Sequence, residues 1–150
     1  MKIKMQYSPN GLLFTQGFEQ CRLVAYPDSK GVPTIGWGHT AGVRLGDTCT
    51  QQQADAWLAI DVQDAAACVN FYVAVQLRQN EFDALVDFVF NVGCGHFEAS
   101  TMLRKLNASD FVGAANEFER WDMSGGVHLA GLMRRRKAEE TMFDLDAPGV

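Results

Sequence analysis

The strongest constraint on the fold is a change from strand-type to helix-type hydrophobic pattern at about residue 50. Before residue 50, two short β-type runs at 23–26 and 32–37 are separated by turn residues. From residue 50 onward, apolar residues recur at helical spacing. Strand-type and helix-type segments that are segregated along a chain are typical of an α+β fold. We therefore expect a small N-terminal β-sheet lobe, a larger helical C-terminal lobe and a ligand cleft between them.

The 150 residues fit a single domain, 1–150, that contains both lobes. We expect the sheet lobe at about 20–48 and the helical lobe at about 50–145, joined by an N-terminal helix at 8–20. A sheet of this size is not stable alone, so it must pack against the helices.

Capping signals and apolar spacing place the helices. Ser8 before Pro9 predicts a helix start, and residues 50–53 resemble a capping box. The run 78–92 is apolar enough to be a central buried helix that ends at Gly93-Cys94-Gly95. Further helices are predicted over 100–106, 110–121 and 129–145, with a loop at 124–126 and a frayed tail at 146–150.

The charge balance disfavours one large class of function. Lys and Arg number 13 against 18 Asp and Glu, a net charge of −5, whereas general nucleic-acid binders carry a basic excess. We therefore expect no nucleic-acid partner. The one dense basic cluster, Arg134 to Lys137, is predicted to form a solvated helix face. Its i,i+4 pairs, Arg135–Glu139 and Arg136–Glu140, would add at most a few tenths of a kcal/mol each.

The N-terminal residues favour folding in the cytoplasm. Residues 5–18 hold too many polar side chains for a signal-peptide core or a transmembrane helix, so we expect no stable membrane association. Cytoplasmic synthesis in turn predicts free thiols for the four cysteines. A helix over 50–67 would separate Cys49 from Cys68 by roughly 25 Å, which excludes that disulfide and leaves the other pairings open. The three histidines are isolated, so no metal site is expected.

Three residues before position 35 form a candidate catalytic group. Glu19 ends the first predicted helix, Asp28 lies in the turn, and Thr34 lies in the second β-type run. A helix end, a turn and a strand can bring these groups to one cleft. Glycoside hydrolysis needs one carboxyl that gives a proton to the leaving oxygen and a second that stays ionised. Glu19, beside Phe18, is the better candidate for the first role, and Asp28, in a polar turn, for the second.

Residues 18–28 and 34–40 resemble the signature of the phage-type lysozymes, the endolysins of glycoside hydrolase family 24. Residues 79–93, 100–107 and 131–139 are also similar to family segments, so the resemblance covers about 8–143. One departure is Gln20, where the family often has glycine.

The resemblance implies a lysozyme fold and an endolysin that hydrolyses the β-1,4 bond between N-acetylmuramic acid and N-acetylglucosamine in peptidoglycan, which lyses the host cell. Glu19 would be the general acid, and Asp28 and Thr34 would position the water or stabilise the transition state. An inverting mechanism is implied, with the two carboxyls about 6.5–9.5 Å apart. One arginine of the cluster at 134–136 would approach Glu19.

The resemblance also implies the substrate-binding residues and the setting. The cleft would be lined by Gly38, His39, Thr40, Phe90 and Asn91, although a histidine such as His39 is more often a structural hydrogen-bonding group. No cofactor is implied. A monomer would wait in the host cytoplasm until a phage holin opens the inner membrane, and would then reach the periplasm and cell wall.

Three other functions remain open at the level of sequence. A lytic transglycosylase needs only one catalytic acid, so Asp28 and Thr34 argue against it. A wall-binding module would have no reason to keep Glu19, Asp28 and Thr34 together. A chitinase-type hydrolase is the third, and its activity would not require a cell wall.

Overall fold

The computed structural model describes residues 2–145, and its architecture confirms the predicted α+β fold. The elements in chain order are α1 (Pro9–Phe18), β1 (Arg22–Pro27), β2 (Pro33–Gly36), α2 (Gln51–Tyr72), α3 (Gln79–Val92), α4 (Cys94–Glu98), α5 (Thr101–Asn107), α6 (Phe111–Ala115), a 3₁₀ turn (Phe118–Arg120), β3 (Met123–Ser124), β4 (Val127–His128) and α7 (Ala130–Phe143).

The small lobe is an antiparallel β1–β2 sheet that rests on α2. Its register pairs Arg22 with Gly36 and Tyr26 with Thr34, with an irregularity between them. Ile35 is fully buried, and a Cβ at Gly36 would lie 3.1 Å from the Ala54 Cβ of α2. Gly36 also has a φ of 62°, so both space and backbone conformation require glycine where the sheet meets this helix.

The helical lobe is built around α3. Every residue from 81 to 89 is buried, which confirms the predicted central helix. Aromatic rings pack around it edge-to-face: the ring centroids of Phe88 and Phe118 are 5.5 Å apart, and those of Phe118 and Phe143 are 5.6 Å apart. This core fixes α7 against α3 and so determines where the side chains of α7 lie.

The predicted helix starts are confirmed. The Ser8 hydroxyl accepts a hydrogen bond from the Gly11 amide at 3.0 Å, and Thr50 and Gln53 form both bonds of a capping box. These caps determine where α1 and α2 begin, on either side of the sheet lobe.

The structure corrects three predictions for the C-terminal half. Gly93, with a φ of 96°, ends α3, but Cys94 already begins the short helix α4. The expected helix at 110–121 is divided into α6 and the 3₁₀ turn, and the expected loop at 124–126 is the tip of a β3–β4 hairpin whose glycines have positive φ. Strands of two residues carry too little periodicity to be found in a sequence. The tail at 146–150 lies outside the described residues.

The expectation that all four cysteines are free thiols is wrong for one pair. Cys68 of α2 and Cys94 of α4 form a disulfide with their Cα atoms 6.0 Å apart, whereas Cys21 and Cys49 are free. The prediction of free thiols rested only on synthesis in the cytoplasm. The chain reverses direction between α2 and α3, and this reversal brings Cys94, at the start of α4, next to Cys68 of α2. The disulfide closes a loop of 26 residues.

We expect this disulfide to stabilise the fold by about 3 kcal/mol, because it restricts a loop of this length in the unfolded chain. The measurement is thermal unfolding of a Cys21→Ala/Cys49→Ala variant with and without reductant. A Cys68→Ala/Cys94→Ala variant is the matched control, and its Tm should not respond to reductant. Equal responses of the two variants would contradict the expectation.

Among residues 2–145, no helix combines the length and the apolar composition needed to cross a membrane.

Candidate active site

Glu19 lies where α1 gives way to the sheet lobe. Its amide donates to the Thr15 carbonyl at 3.0 Å, and its backbone is already extended, so the side chain leaves the end of the helix. The carboxyl is about a quarter exposed, at 24%. A Cβ at Gly38 would lie 3.9 Å from Glu19 Oε2, and Gly38 has a φ of 95°. The glycine backbone of the sheet lobe therefore passes close to the free oxygen of Glu19.

Asp28 and Thr34 both bind the backbone of Val32. Asp28 Oδ1 accepts hydrogen bonds from the amides of Lys30 and Val32, both at 2.8 Å. The Thr34 hydroxyl donates to the Val32 carbonyl at 2.9 Å. The backbone of this β-turn therefore fixes both side chains. Because the Thr34 hydroxyl donates its only proton to the Val32 carbonyl, it can act only as an acceptor toward other groups.

The predicted substrate-binding residues occupy different environments. The His39 ring stacks on Trp57 of α2 with centroids 4.7 Å apart, and its Nδ1 lies 2.8 Å from Asp61 Oδ2. Its side chain thus joins the sheet lobe to α2. Gly38 and Thr40 are exposed, Phe90 is half-buried and Asn91 is exposed. The Trp37 indole also turns to α2 and donates to Asp55 Oδ1 at 2.8 Å.

Arg135 is the arginine that faces the candidate acid. Its Nη1 donates to Glu19 Oε1 at 2.8 Å, while Nε and Nη2 donate to the two carboxylate oxygens of Asp87, both at 2.9 Å. Only 5% of Arg135 is exposed, and Arg136 is fully buried. The predicted solvated face is therefore wrong for these two residues, because α7 turns them toward α3. Arg134 and Lys137 are exposed, as predicted.

Asp87 is the central anion of the site, and sequence reasoning missed it. It is fully buried, and Thr15 Oγ1 donates to its Oδ1 at 2.7 Å. Burial alone would raise the pKa of Asp87, but hydrogen bonds from Arg135 and Thr15, with the charge of Arg135, hold it below its ordinary value. Burial alone would lower the pKa of Arg135, but Asp87 and Glu19 raise it. Both groups are therefore charged at neutral pH.

A second buried pair lies behind the first. Arg136 Nη2 donates to Glu139 Oε1 at 2.6 Å, and both side chains are fully buried. Burial, together with the nearby charge of Asp87, raises the pKa of Glu139 well above its ordinary value. The predicted Arg135–Glu139 contact exists at 3.8 Å but inside the core, and Arg136 pairs with Glu139 rather than with Glu140.

One signal in the sequence could have revealed Asp87. Asp83 and Asp87 are four residues apart within the otherwise apolar run of α3. An acidic side chain on a buried helix face requires a hydrogen-bond donor or a cation as its partner. The basic cluster of the last predicted helix could have supplied that partner.

The geometry suits acid-assisted bond cleavage. Glu19 has one oxygen bound to Arg135 and the other directed at the Gly38 backbone. Within the part of the chain that the structure describes, no three His, Cys, Asp or Glu side chains are grouped to hold a metal ion.

Comparison with known proteins agrees with the fold and the motif. The family model for phage lysozyme matches residues 16–139. An endolysin of Acyrthosiphon pisum secondary endosymbiont phage 1 is 40% identical over 144 residues, which cover 93% of this chain and 99% of that protein.

Solved structures show the same relationship. The muramidase domain of SpmX from Asticaccaulis excentricus superposes with a TM-score of 0.89 at 36% identity, covering 94% of this chain and 99% of that one. An endolysin from Escherichia coli O157:H7 phage FAHEc1 gives a TM-score of 0.88 at 36% identity, covering 95% and 96%. The resemblance found in the sequence is confirmed, and the chain belongs to the phage lysozyme family.

Proposed function

We propose that Glu19, Asp28 and Thr34 carry out the reaction of this phage lysozyme on the cell wall. The protein is a glycoside hydrolase, an endolysin that cleaves β-1,4 bonds between N-acetylmuramic acid and N-acetylglucosamine in peptidoglycan. The observation that carries the assignment of the acid is the position of Glu19: at the end of α1, held by Arg135 and facing the Gly38 backbone. In this position Glu19 gives its proton to the leaving glycosidic oxygen.

Asp28 and Thr34 hold the attacking water. The Thr34 hydroxyl donates its proton to the Val32 carbonyl, so it accepts a hydrogen bond from any water beside it. An ionised Asp28 also only accepts, and its Oδ1 is already engaged by the turn amides. A water that donates one proton to each side chain keeps its lone pairs free for the anomeric carbon. As the water oxygen bonds to the anomeric carbon from the face opposite the leaving group, Asp28 takes one of its protons, and the configuration of the sugar is inverted.

The cleft walls and the setting complete the proposal. Gly38, Thr40, Phe90 and Asn91 line the sugar-binding cleft, and His39, which stacks on Trp57 of α2, supports its wall. The protein works as a monomer without a cofactor. It remains in the host cytoplasm until a phage holin releases it to the wall. The relatives named endolysins support the action on the cell wall.

Product chemistry tests the proposed function. Purified peptidoglycan is digested with the wild-type protein, and product masses, reducing ends and the first-formed anomer are recorded. We expect new reducing muramic acid ends in the inverted configuration. Anhydro sugars would instead indicate a transglycosylase, absence of products from a folded protein would indicate a binding module, and equal cleavage of wall-free chitin would indicate a chitinase-type hydrolase.

Substitutions that disturb the water should lower kcat with little change in KM. Thr34→Val removes one acceptor and Asp28→Asn replaces an acceptor with a donor, so we expect each to lower kcat by roughly 10²-fold. The measurement is steady-state turnover on soluble wall fragments. Thr34→Ser keeps the hydroxyl and is the matched control, with activity close to wild type. Full activity of Asp28→Asn would contradict the water-holding role and favour a transglycosylase.

A further inference from the structure

We propose that Asp87 is a positioning residue of this site: its carboxylate holds Arg135 in the orientation that reaches Glu19 and thereby sets the alkaline limit of activity. This inference rests on the proposed role of Glu19 as the general acid. Asp87 does not touch the substrate cleft, because it is fully buried on α3 and acts through Arg135 of α7.

The geometry of the guanidinium carries the first step. Asp87 engages both Nε and Nη2 of Arg135 at 2.9 Å, which is a two-point contact. A guanidinium is planar and rigid, so fixing two nitrogens also fixes the third. The third nitrogen, Nη1, donates to Glu19 Oε1 at 2.8 Å. The position of Asp87 therefore determines where the Glu19 carboxyl is held.

Asp87 is itself fixed from the opposite side. Thr15 Oγ1 donates to Asp87 Oδ1 at 2.7 Å, and Tyr7 OH lies 2.6 Å from Thr15 Oγ1. Since the Thr15 proton goes to Asp87, Tyr7 donates to Thr15. Burial, with the charge of Asp87, raises the pKa of Tyr7, so this donor keeps its proton throughout the range of activity. The carboxylate thus has a fixed orientation.

The charges around Arg135 give the functional consequence. The titratable groups that face the Asp87–Arg135 pair are Glu19 on α1, Arg136 and Glu139 on α7, and Tyr7 on the N-terminal segment. Asp83 on α3 acts on Tyr7 rather than on the pair. With Asp87 ionised, the charge of Arg135 is balanced by a carboxylate other than Glu19. Without that charge, Arg135 is balanced by Glu19 alone and favours the ionised form of Glu19. An ionised Glu19 has no proton to give to the leaving oxygen.

The test compares Asp87→Asn with Asp83→Asn. Asp83 is a buried acid on the same helix, but it binds Ser8 and Gln79 at the start of α1 and α3 rather than Arg135. The readout is kcat as a function of pH on soluble wall fragments. At high pH, kcat falls as Glu19 loses its proton. For Asp87→Asn we expect this fall in kcat to occur at a pH lower by roughly one unit than in the wild type, with KM unchanged. For Asp83→Asn, the fall in kcat at high pH should occur at the same pH as in the wild type.

A second pair of variants keeps the inference testable if Asp87→Asn does not fold. Thr15→Val keeps the shape of a buried side chain but removes the hydroxyl that orients Asp87, whereas Thr15→Ser keeps the hydroxyl. We expect kcat to fall severalfold for valine and to recover for serine, with KM unchanged in both. The inference would be overturned if kcat fell at the same high pH in Asp87→Asn and Asp83→Asn, or if the two Thr15 variants had equal kcat. A folded wild-type protein that releases no products would overturn the proposed function itself.

Discussion

Replacing Glu19 with glutamine is expected to lower kcat by roughly 10³-fold, because the variant keeps the contact with Arg135 but has no proton to give. Glutamine is nearly the same shape, and its oxygen can still accept from Arg135 Nη1, which now donates to Glu19 Oε1 at 2.8 Å. The loss should therefore appear in kcat rather than in KM or in the unfolding temperature. Single-turnover cleavage of soluble wall fragments measures the effect without interference from product release.

Glu98→Gln is the matched control for this substitution, since Glu98 is an exposed glutamate on α4, away from the contacts of Glu19. We expect it to keep wild-type activity. If Glu19→Gln retained more than a tenth of the wild-type kcat, another group would have to be the acid. The water-holding role of Asp28 and Thr34 would then need a different partner as well.

The fold was predictable from local signals wherever the signal is strong. The capping residues Ser8 and Thr50 and the apolar run of α3 each gave the correct element, because caps and 3.6-residue periodicity act within a few residues. The β3–β4 hairpin and the division of the predicted 110–121 helix were not predictable in this way. Those features depend on how short segments fill space around the core.

The sequence predicted the motif residues of the candidate site but not the buried residues behind them. A motif in the sequence identifies Glu19, Asp28 and Thr34. The structure places Glu19 at the end of α1, and it places Asp28 before the turn and Thr34 on β2, where both bind Val32. Nothing local distinguished Arg135 and Arg136 from the exposed arginine and lysine beside them. The rotation of α7 against α3 decides which side chains enter the core, and that rotation depends on packing between distant elements.

The Asp87–Arg135 pair also contributes to stability, with a sign that can be worked out. Because the pKa of Asp87 lies below its ordinary value of 3.8, its ionised form stabilises the fold above that pH. This contribution is lost as the pH falls through the lowered pKa. Removing the cation reverses the sign, since a buried carboxyl without a partner is raised in pKa and destabilises the fold increasingly as the pH rises.

Arg135→Met is therefore expected to lower the free energy of unfolding by about 3 to 5 kcal/mol at neutral pH, the cost of leaving a buried charge without its partner. The cost should shrink toward about pH 4, where Asp87 can take a proton. Urea unfolding of the wild type and the variant between these pH values measures both the loss of unfolding free energy at neutral pH and its decrease toward acidic pH. The double variant Arg135→Met/Asp87→Asn is the control: it removes both charges, so it should be more stable than Arg135→Met at neutral pH and should lose most of the pH dependence. A pH-independent cost shared by the single and double variants would mean that lost packing of the long side chain, rather than an unpaired Asp87, destabilises the protein.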